Sequence, residues 1–345
     1  MRCVLSIEKY LSSVRIYDMN ARPTKRGERW LLNRYPKKEA LKRLAAEDFK
    51  RITLSFYRYV NLGTQEQVHE LRDTLFLEWE DLGCFGRVYM AQEGINAQMS
   101  VPEHMLDAFK ESLYAHGAFK DVPFKIAVTD GTAFWNLHIK VKNQIVADGL
   151  TLGDYDIENV GNHLDAASFN KAMEDSNTIV VDMRNEYESD IGHFKWAYTP
   201  KVATFKEELP TVATTLSGKE DRKVLLYCTG GIRCEKASAY LKSKGFKDVN
   251  QLHGGIIAYK HQTDEQGLEN KFIGSNYVFD GRTREPISGD IISTCSDCDT
   301  PCDLHVNCKN DACNKLYLQC DACITRTATT CSESCFEKLA QLVTD

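Results

Sequence analysis

An α/β architecture in three folded parts follows from three features of this chain. Between residues 50 and 128, strand-like and helix-like periodicities run in the order β-α-β-β-α-β. Between about 150 and 288, short apolar runs alternate with helical spacing, and nine cysteines crowd into the last 51 residues. The first order is that of a ferredoxin-like α+β unit. The second is that of a three-layer α/β domain on a mostly parallel sheet, and the third that of a small cysteine-rich module folded around metal. The expected divisions are a basic N-terminal extension at 1–45, the ferredoxin-like domain at 46–148, the three-layer domain at 149–290 and the cysteine-rich module at 291–345.

Taken in order, residues 52–59 alternate as a strand, 64–82 have helical spacing with one polar side, and 86–90 return to strand. Residues 95–99, a helix over 102–116 and a strand near 124–128 complete the first unit. Glu93-Gly94-Ile95-Asn96 falls in its central turn, where glycine and asparagine suit either a hairpin with local duties or a role at a substrate. Residues 134–148, with His138, Lys140 and Lys142 on alternate positions, read as a basic strand leading into the second domain. There, helices at 166–173, 205–216, 234–244 and 255–259 alternate with strands at 178–183, 224–227 and 249–252. Sites in such domains lie at the carboxyl ends of the strands.

One strand end carries chemistry. The apolar run 224–227 delivers Cys228 into Thr229-Gly230-Gly231-Ile232-Arg233-Cys234, where a helical pattern begins. The glycines let the N–H groups of Thr229, Gly230, Gly231 and Ile232 converge, the helix adds its positive N-terminal end, and Arg233 adds a full charge. Each favours the thiolate, which makes Cys228 the candidate nucleophile. The alternative is a cysteine packed as a small hydrophobe at a strand end. Cys234, at the helix start, is placed either to resolve an oxidised Cys228 by disulfide formation or to pack as a buried thiol. Upstream, Asp182 and Arg184 close a β-branched strand ahead of Glu186-Tyr187 and Gly192-His193-Phe194, and such strand-end charges brace neighbouring loops.

The Cys-x4-Arg loop is similar to that of the rhodanese sulfurtransferase fold, and it is one residue shorter than the loop with which Cys-dependent phosphatases surround a phosphate. The Asp182-x-Arg184, Glu186-Tyr187 and Gly192-His193 elements resemble the opening of rhodanese domains. The run Cys228 to Ala239, the run Ala91-Gln92-Glu93-Gly94-Ile95-Asn96 and the cysteine-rich tail together resemble one subgroup, the bacterial tRNA uridine hydroxylase family. That resemblance spans residue 50 to the end. It implies conversion of the wobble uridine to 5-hydroxyuridine with molecular oxygen as co-substrate and the tRNA anticodon loop as partner. Cys228 would act on the splayed-out base, with Arg233 and the loop N–H groups supporting it. The other reading is a sulfurtransferase or persulfide carrier, which passes sulfur between thiols and needs a sulfur-donor or reductant protein. No flavin, haem or two-histidine-one-carboxylate iron motif is visible in the chain.

The tail offers Cys295, Cys298, Cys302, Cys308, Cys313, Cys320, Cys323, Cys331 and Cys335, with His305 among them. Pairs of thiolates two or three residues apart bite one tetrahedral ion, so there are ligands for two zinc ions with one or two to spare. Large apolar residues are few here, and metal would supply folding energy that burial cannot. Disulfides, a reduced disordered tail and an iron–sulfur cluster are the other readings of the same cysteines.

The chain is 43% hydrophobic, enough for cores in two to three domains. No apolar run approaches membrane-spanning length, and Glu8, Lys9, Arg15 and Asp18 interrupt the start, so neither a signal peptide nor a membrane helix is expected. A cytoplasmic location follows, in which thirteen cysteines point to metal or catalysis. The net charge of −6 is uneven: residues 1–50 hold 13 Lys+Arg against 6 Asp+Glu, a balance of +7, which leaves −13 for the rest. The stretch with Arg22, Lys25, Arg26, Arg29, Arg34, Lys37 and Lys38, interleaved with Trp30 and Tyr35, is suited to a phosphate backbone or is a solvated arm that binds nothing.

Overall fold

The computed structural model describes residues 35–150 and 153–344. A short helix α1 (Lys37–Ala45) precedes β1 (Arg51–Tyr59), α2 (Gln65–Asp81), β2 (Phe85–Ala91), β3 (Gly94–Pro102), α3 (Leu106–Ala115), β4 (Lys125–Ile126) and β5 (Leu137–Val141). The sheet order is β4-β1-β3-β2-β5, the arrangement of a ferredoxin-like unit with β5 added parallel to β2. Thr64 and Gln67 form a reciprocal cap at the start of α2, as the threonine three residues ahead of a glutamine suggests. Alternation in the strands turns Leu54, Phe56, Val88, Ala97 and Met99 inward, where they are buried with Trp79 of α2 and Phe109 of α3. The opposite sheet face is polar.

The second domain runs β6 (Asn162–Leu164), α4 (Ala166–Met173), β7 (Ile179–Asp182), α5 (Glu186–Ser189), β8 (Gly192–Phe194), α6 (Phe205–Thr215), β9 (Lys223–Tyr227), α7 (Ile232–Ser243), β10 (Asp248–Leu252) and α8 (Gly255–Gln266). Its sheet, β6-β10-β9-β7, is wholly parallel. Two buried clusters cover the two faces, one built with α6 and α7 and the other with α4 and α8, which makes three layers. Strands β8, β11 (Phe272–Tyr277) and β12 (Arg284–Pro286) form a small antiparallel sheet. Those short strands, like β6, carry no sustained alternation and were not expected from the sequence.

The last segment holds a hairpin of β13 (His305–Asn307) and β14 (Leu316–Leu318) and the helices α9 (Asp321–Thr327) and α10 (Glu333–Thr344). It docks on the second domain through the buried Asp303, which accepts from Ser275 Oγ at 2.6 Å and from Arg284 Nε at 2.9 Å. Of the basic stretch in the sequence, residues 22–34 lie outside the described residues. Lys37 and Lys38 open α1, and the Lys37 ammonium sits 4.7 Å from the centroid of the Trp135 ring. No described helix is long and apolar enough to cross a membrane.

Candidate active site

Cys228 follows the last residue of β9, and the loop from it to Gly231 leads into α7. Gly231 is the N-cap of that helix at φ 96°, a left-handed conformation that a side chain resists. A Cβ there would also approach the Tyr57 hydroxyl to 2.9 Å. A second glycine seats the loop from outside: at Gly255, φ 68°, a Cβ would meet the Cys228 carbonyl oxygen at 2.5 Å. The first N–H groups of α8 reach the same loop, Ile256 donating to the Cys228 carbonyl at 3.0 Å and Ile257 to that of Thr229 at 3.2 Å.

The sulfur is held as a thiolate. Burial, the largest influence on Cys228, opposes charge. It is outweighed by a hydrogen bond from Cys234, the Arg233 charge and the N–H groups of Arg233 and Gly231, and the thiol falls to about 5. Gly231 N–H donates to Sγ at 3.1 Å. Of the four loop amides expected to converge, Gly231 is the one that reaches the sulfur, joined by the amide of Arg233; a helical turn aims only its first free N–H groups at one point. Cys234 is fully buried, and burial together with the Cys228 charge pushes its thiol well up, so it keeps its proton and donates it.

Arg233 is fixed by Glu188 of α5, whose two oxygens accept from the guanidinium at 2.6 and 2.9 Å. Glu188 was not singled out from the sequence, although it follows Glu186-Tyr187 directly. Asp182 and Arg184 form a fully buried pair at 2.7 Å. Arg184 also donates to the Gly192 carbonyl, and Asp182 also accepts from the Tyr227 hydroxyl at 2.8 Å. Neither lines the cavity in front of Cys228. They tie β7, β8 and β9 together beneath the loop.

That cavity, of about 380 Å³, lies between the loop and the polar face of the first domain's sheet. Cys228 is 1% exposed and lines this space. The facing wall carries Tyr57, Arg87, Tyr89, Asn96, Gln98 and Lys125; of these only Asn96, in the turn offered a role at a substrate, had been considered from the sequence. The Lys125 ammonium lies 4.3 Å from the centroid of the Tyr57 ring, and no described residue forms an ion pair with it. Burial brings it down to about 8, against the charges of Cys228 and Glu235.

Polar ties close the domains on each other, two of them through side chains of α7. The Tyr57 hydroxyl donates to Glu235 at 2.9 Å. Lys236 of α7, 1% exposed, binds Glu93 at 3.0 Å, Asp148 at 3.1 Å and the Val146 carbonyl at 3.0 Å. Glu93 further accepts the Ile145 N–H at 2.7 Å. The Glu-Gly-Ile-Asn turn is therefore a long-range tie as well as a hairpin.

In the tail, the Sγ atoms of Cys295, Cys298, Cys320 and Cys323 lie within 4.8 Å of one another, and so do those of Cys308, Cys313, Cys331 and Cys335. Separations of 3.7, 3.6 and 3.9 Å for the 298–320, 313–331 and 331–335 pairs match the ~3.8 Å edge of a tetrahedron with ~2.3 Å metal–sulfur bonds. The donor sets fit two four-thiolate metal sites, and all twelve described cysteines are free. Cys302, counted among the candidates, belongs to neither set; its sulfur faces the Leu304 carbonyl at 4.0 Å. His305 likewise points away, packing against Tyr187 and Tyr277.

A thiolate held by helix-start amides and an arginine, at the carboxyl end of a central parallel strand, defines a rhodanese-type thiol site. Residues 165–262 match the rhodanese-like domain family, 273–336 the rhodanese C-terminal family and 51–145 the UPF0176 acylphosphatase-like domain family. The chain is 54% identical over 313 residues to the tRNA uridine(34) hydroxylase of Leptospira interrogans, covering 90% of this chain and 84% of that protein. It is 46% identical over 311 residues to the protein of the same name from Yersinia pestis, covering 90% and 87%. The chain belongs to the tRNA uridine(34) hydroxylase family. Among solved structures, a rhodanese-like domain from Anabaena aligns with 32% of this chain and 78% of its own at 21% identity and a TM-score of 0.26.

Proposed function

We propose that this protein hydroxylates a tRNA wobble uridine to 5-hydroxyuridine, with Cys228 as nucleophile. One observation supports the assignment of Cys228 most directly: it is a thiolate that lines a cavity walled on its far side by aromatic, amide and cationic groups of another domain. In this reading the splayed-out uracil fills the cavity. The thiolate adds to C6, so that a sulfur–carbon bond forms and the C5–C6 π pair moves toward O4. The Lys125 ammonium stabilises the charge that develops there. Arg233 and Cys234 hold the thiolate before attack, Cys234 as a hydrogen-bond donor. Molecular oxygen is the source of the new hydroxyl: one atom bonds to C5, the other leaves as water with two electrons and two protons from a thiol reductant, and loss of the C5 proton as Cys228 departs from C6 restores the C5–C6 double bond. Zinc occupies the two cysteine sets and supplies folding energy to a module with little apolar core, and the free thiols suit a reducing, cytoplasmic setting.

The test is unmodified tRNA incubated with the protein under isotopically labelled oxygen gas. Labelled 5-hydroxyuridine is expected by nucleoside mass spectrometry, and none with Cys228→Ser or without oxygen. Lys125→Met should lower turnover about a hundredfold, the scale of losing one stabilising donor, while leaving Cys228 alkylation intact. A thiolated base formed without oxygen would instead identify a sulfurtransferase.

A further inference from the structure

The five strands of the first domain contain no aspartate or glutamate at all. On their polar face, register places the side chains in two rows across the sheet. One row is Lys125, Ser55, Gln98, Arg87, His138, and the next is Tyr57, Asn96, Tyr89, Lys140. Both begin in the Cys228 cavity, and both run out to the edge strand β5; Arg87 of β2 and Lys140 of β5 are exposed. Lys142 extends the second row, its ammonium 5.8 Å from the Tyr89 ring centroid. The density of positive charge is felt within the patch: burial, then Lys140 and Arg87, hold His138 below its usual range.

We propose that this sheet face is the track on which single-stranded RNA leaves the active site. Tyr89 stacks the base next to the reacting uridine, and Arg87, Lys140 and Lys142 hold the phosphates that follow. The proposal rests on the reading of an RNA substrate. A sheet bearing an aromatic ring between cationic side chains offers a stacking platform and a charged groove together, the pairing that single strands require. A duplex is not the occupant, because the track starts at a cavity with room for one splayed base. Nor is an acidic protein segment, which would have no use for the ring beside the cavity mouth.

The experiment measures equilibrium binding of unmodified tRNA across a range of salt concentrations for the wild type, Arg87→Ala/Lys140→Ala and Tyr89→Leu. The double variant should bind about tenfold more weakly at low salt, with the slope of log K against log salt smaller by about 1 for each cation lost. Tyr89→Leu should lose about tenfold affinity with the slope unchanged. The pH midpoint of Cys228 alkylation and thermal unfolding should match the wild type in both, which separates the track from the fold. Variants that keep wild-type affinity and slope would overturn the track while leaving the RNA reading standing. A wild type that binds tRNA without salt dependence, or not at all, would overturn both.

Discussion

Removing the Cys234 thiol should make Cys228 a weaker acid without disturbing access to it. A thiol brought from 9.0 to about 5 is favoured as thiolate by about 5 kcal/mol, at about 1.36 kcal/mol for each factor of ten. Burial acts the other way, so the hydrogen bonds and the arginine together exceed that sum. A hydrogen bond to a charged acceptor contributes about 1.5–3 kcal/mol. Cys234→Ala should therefore move the midpoint of Cys228 ionisation up from about 5 to about 6–7. The assay is the pH dependence of iodoacetamide alkylation, read on the peptide that contains Cys228. Because only the midpoint is compared, slow passage through the cavity cancels. The wild-type rate should rise as pH increases through about 5 and then level, since only the thiolate reacts. A wild-type rate still climbing steeply above about pH 8, where an ordinary thiol ionises, would refute the reasoning. So would a Cys234→Ala profile that superimposes on the wild type.

Lys236→Met would strand the Asp148 and Glu93 carboxylates between the domains and should cost about 3 kcal/mol, seen in chemical denaturation; stability within about 0.5 kcal/mol of wild type would show the tie to be idle. Cys320→Ala removes one of four thiolates from its set and should lower bound metal in native mass spectrometry from two ions per chain, with the tail becoming protease-sensitive. Metal-free wild type with a protease-resistant tail would contradict that account.

Much of this architecture could be read from local pattern. Alternation in residues 52–59, the helical spacing over 64–82, and the strand–loop–helix passage through Cys228 are statements about neighbours, and neighbours are what periodicity reports. Short strands escaped because three residues such as Gly192–Phe194 are too few for a period to register. The cavity's far wall escaped for another reason. Tyr57 meets Glu235 across 178 residues and Lys236 meets Glu93 across 143, and nothing in either local sequence announces the other. Cys302 is the thiol to spare: its spacing to Cys298 suits a ligand, yet both four-thiolate sets are complete without it.

The division of labour between the two walls of the cavity bears on how such a protein can change. The groups that do most to charge the Cys228 sulfur are Gly231, Arg233 and Cys234, with Glu188 behind them, all inside the second domain. What faces that sulfur comes chiefly from β1 to β4 of the first. Reactivity and selectivity are thus inherited in separate stretches of one gene. Drift on the sheet face can alter which molecule is admitted while the nucleophile stays armed, and the parallel-sheet domain can be paired with a different facing wall to serve another substrate.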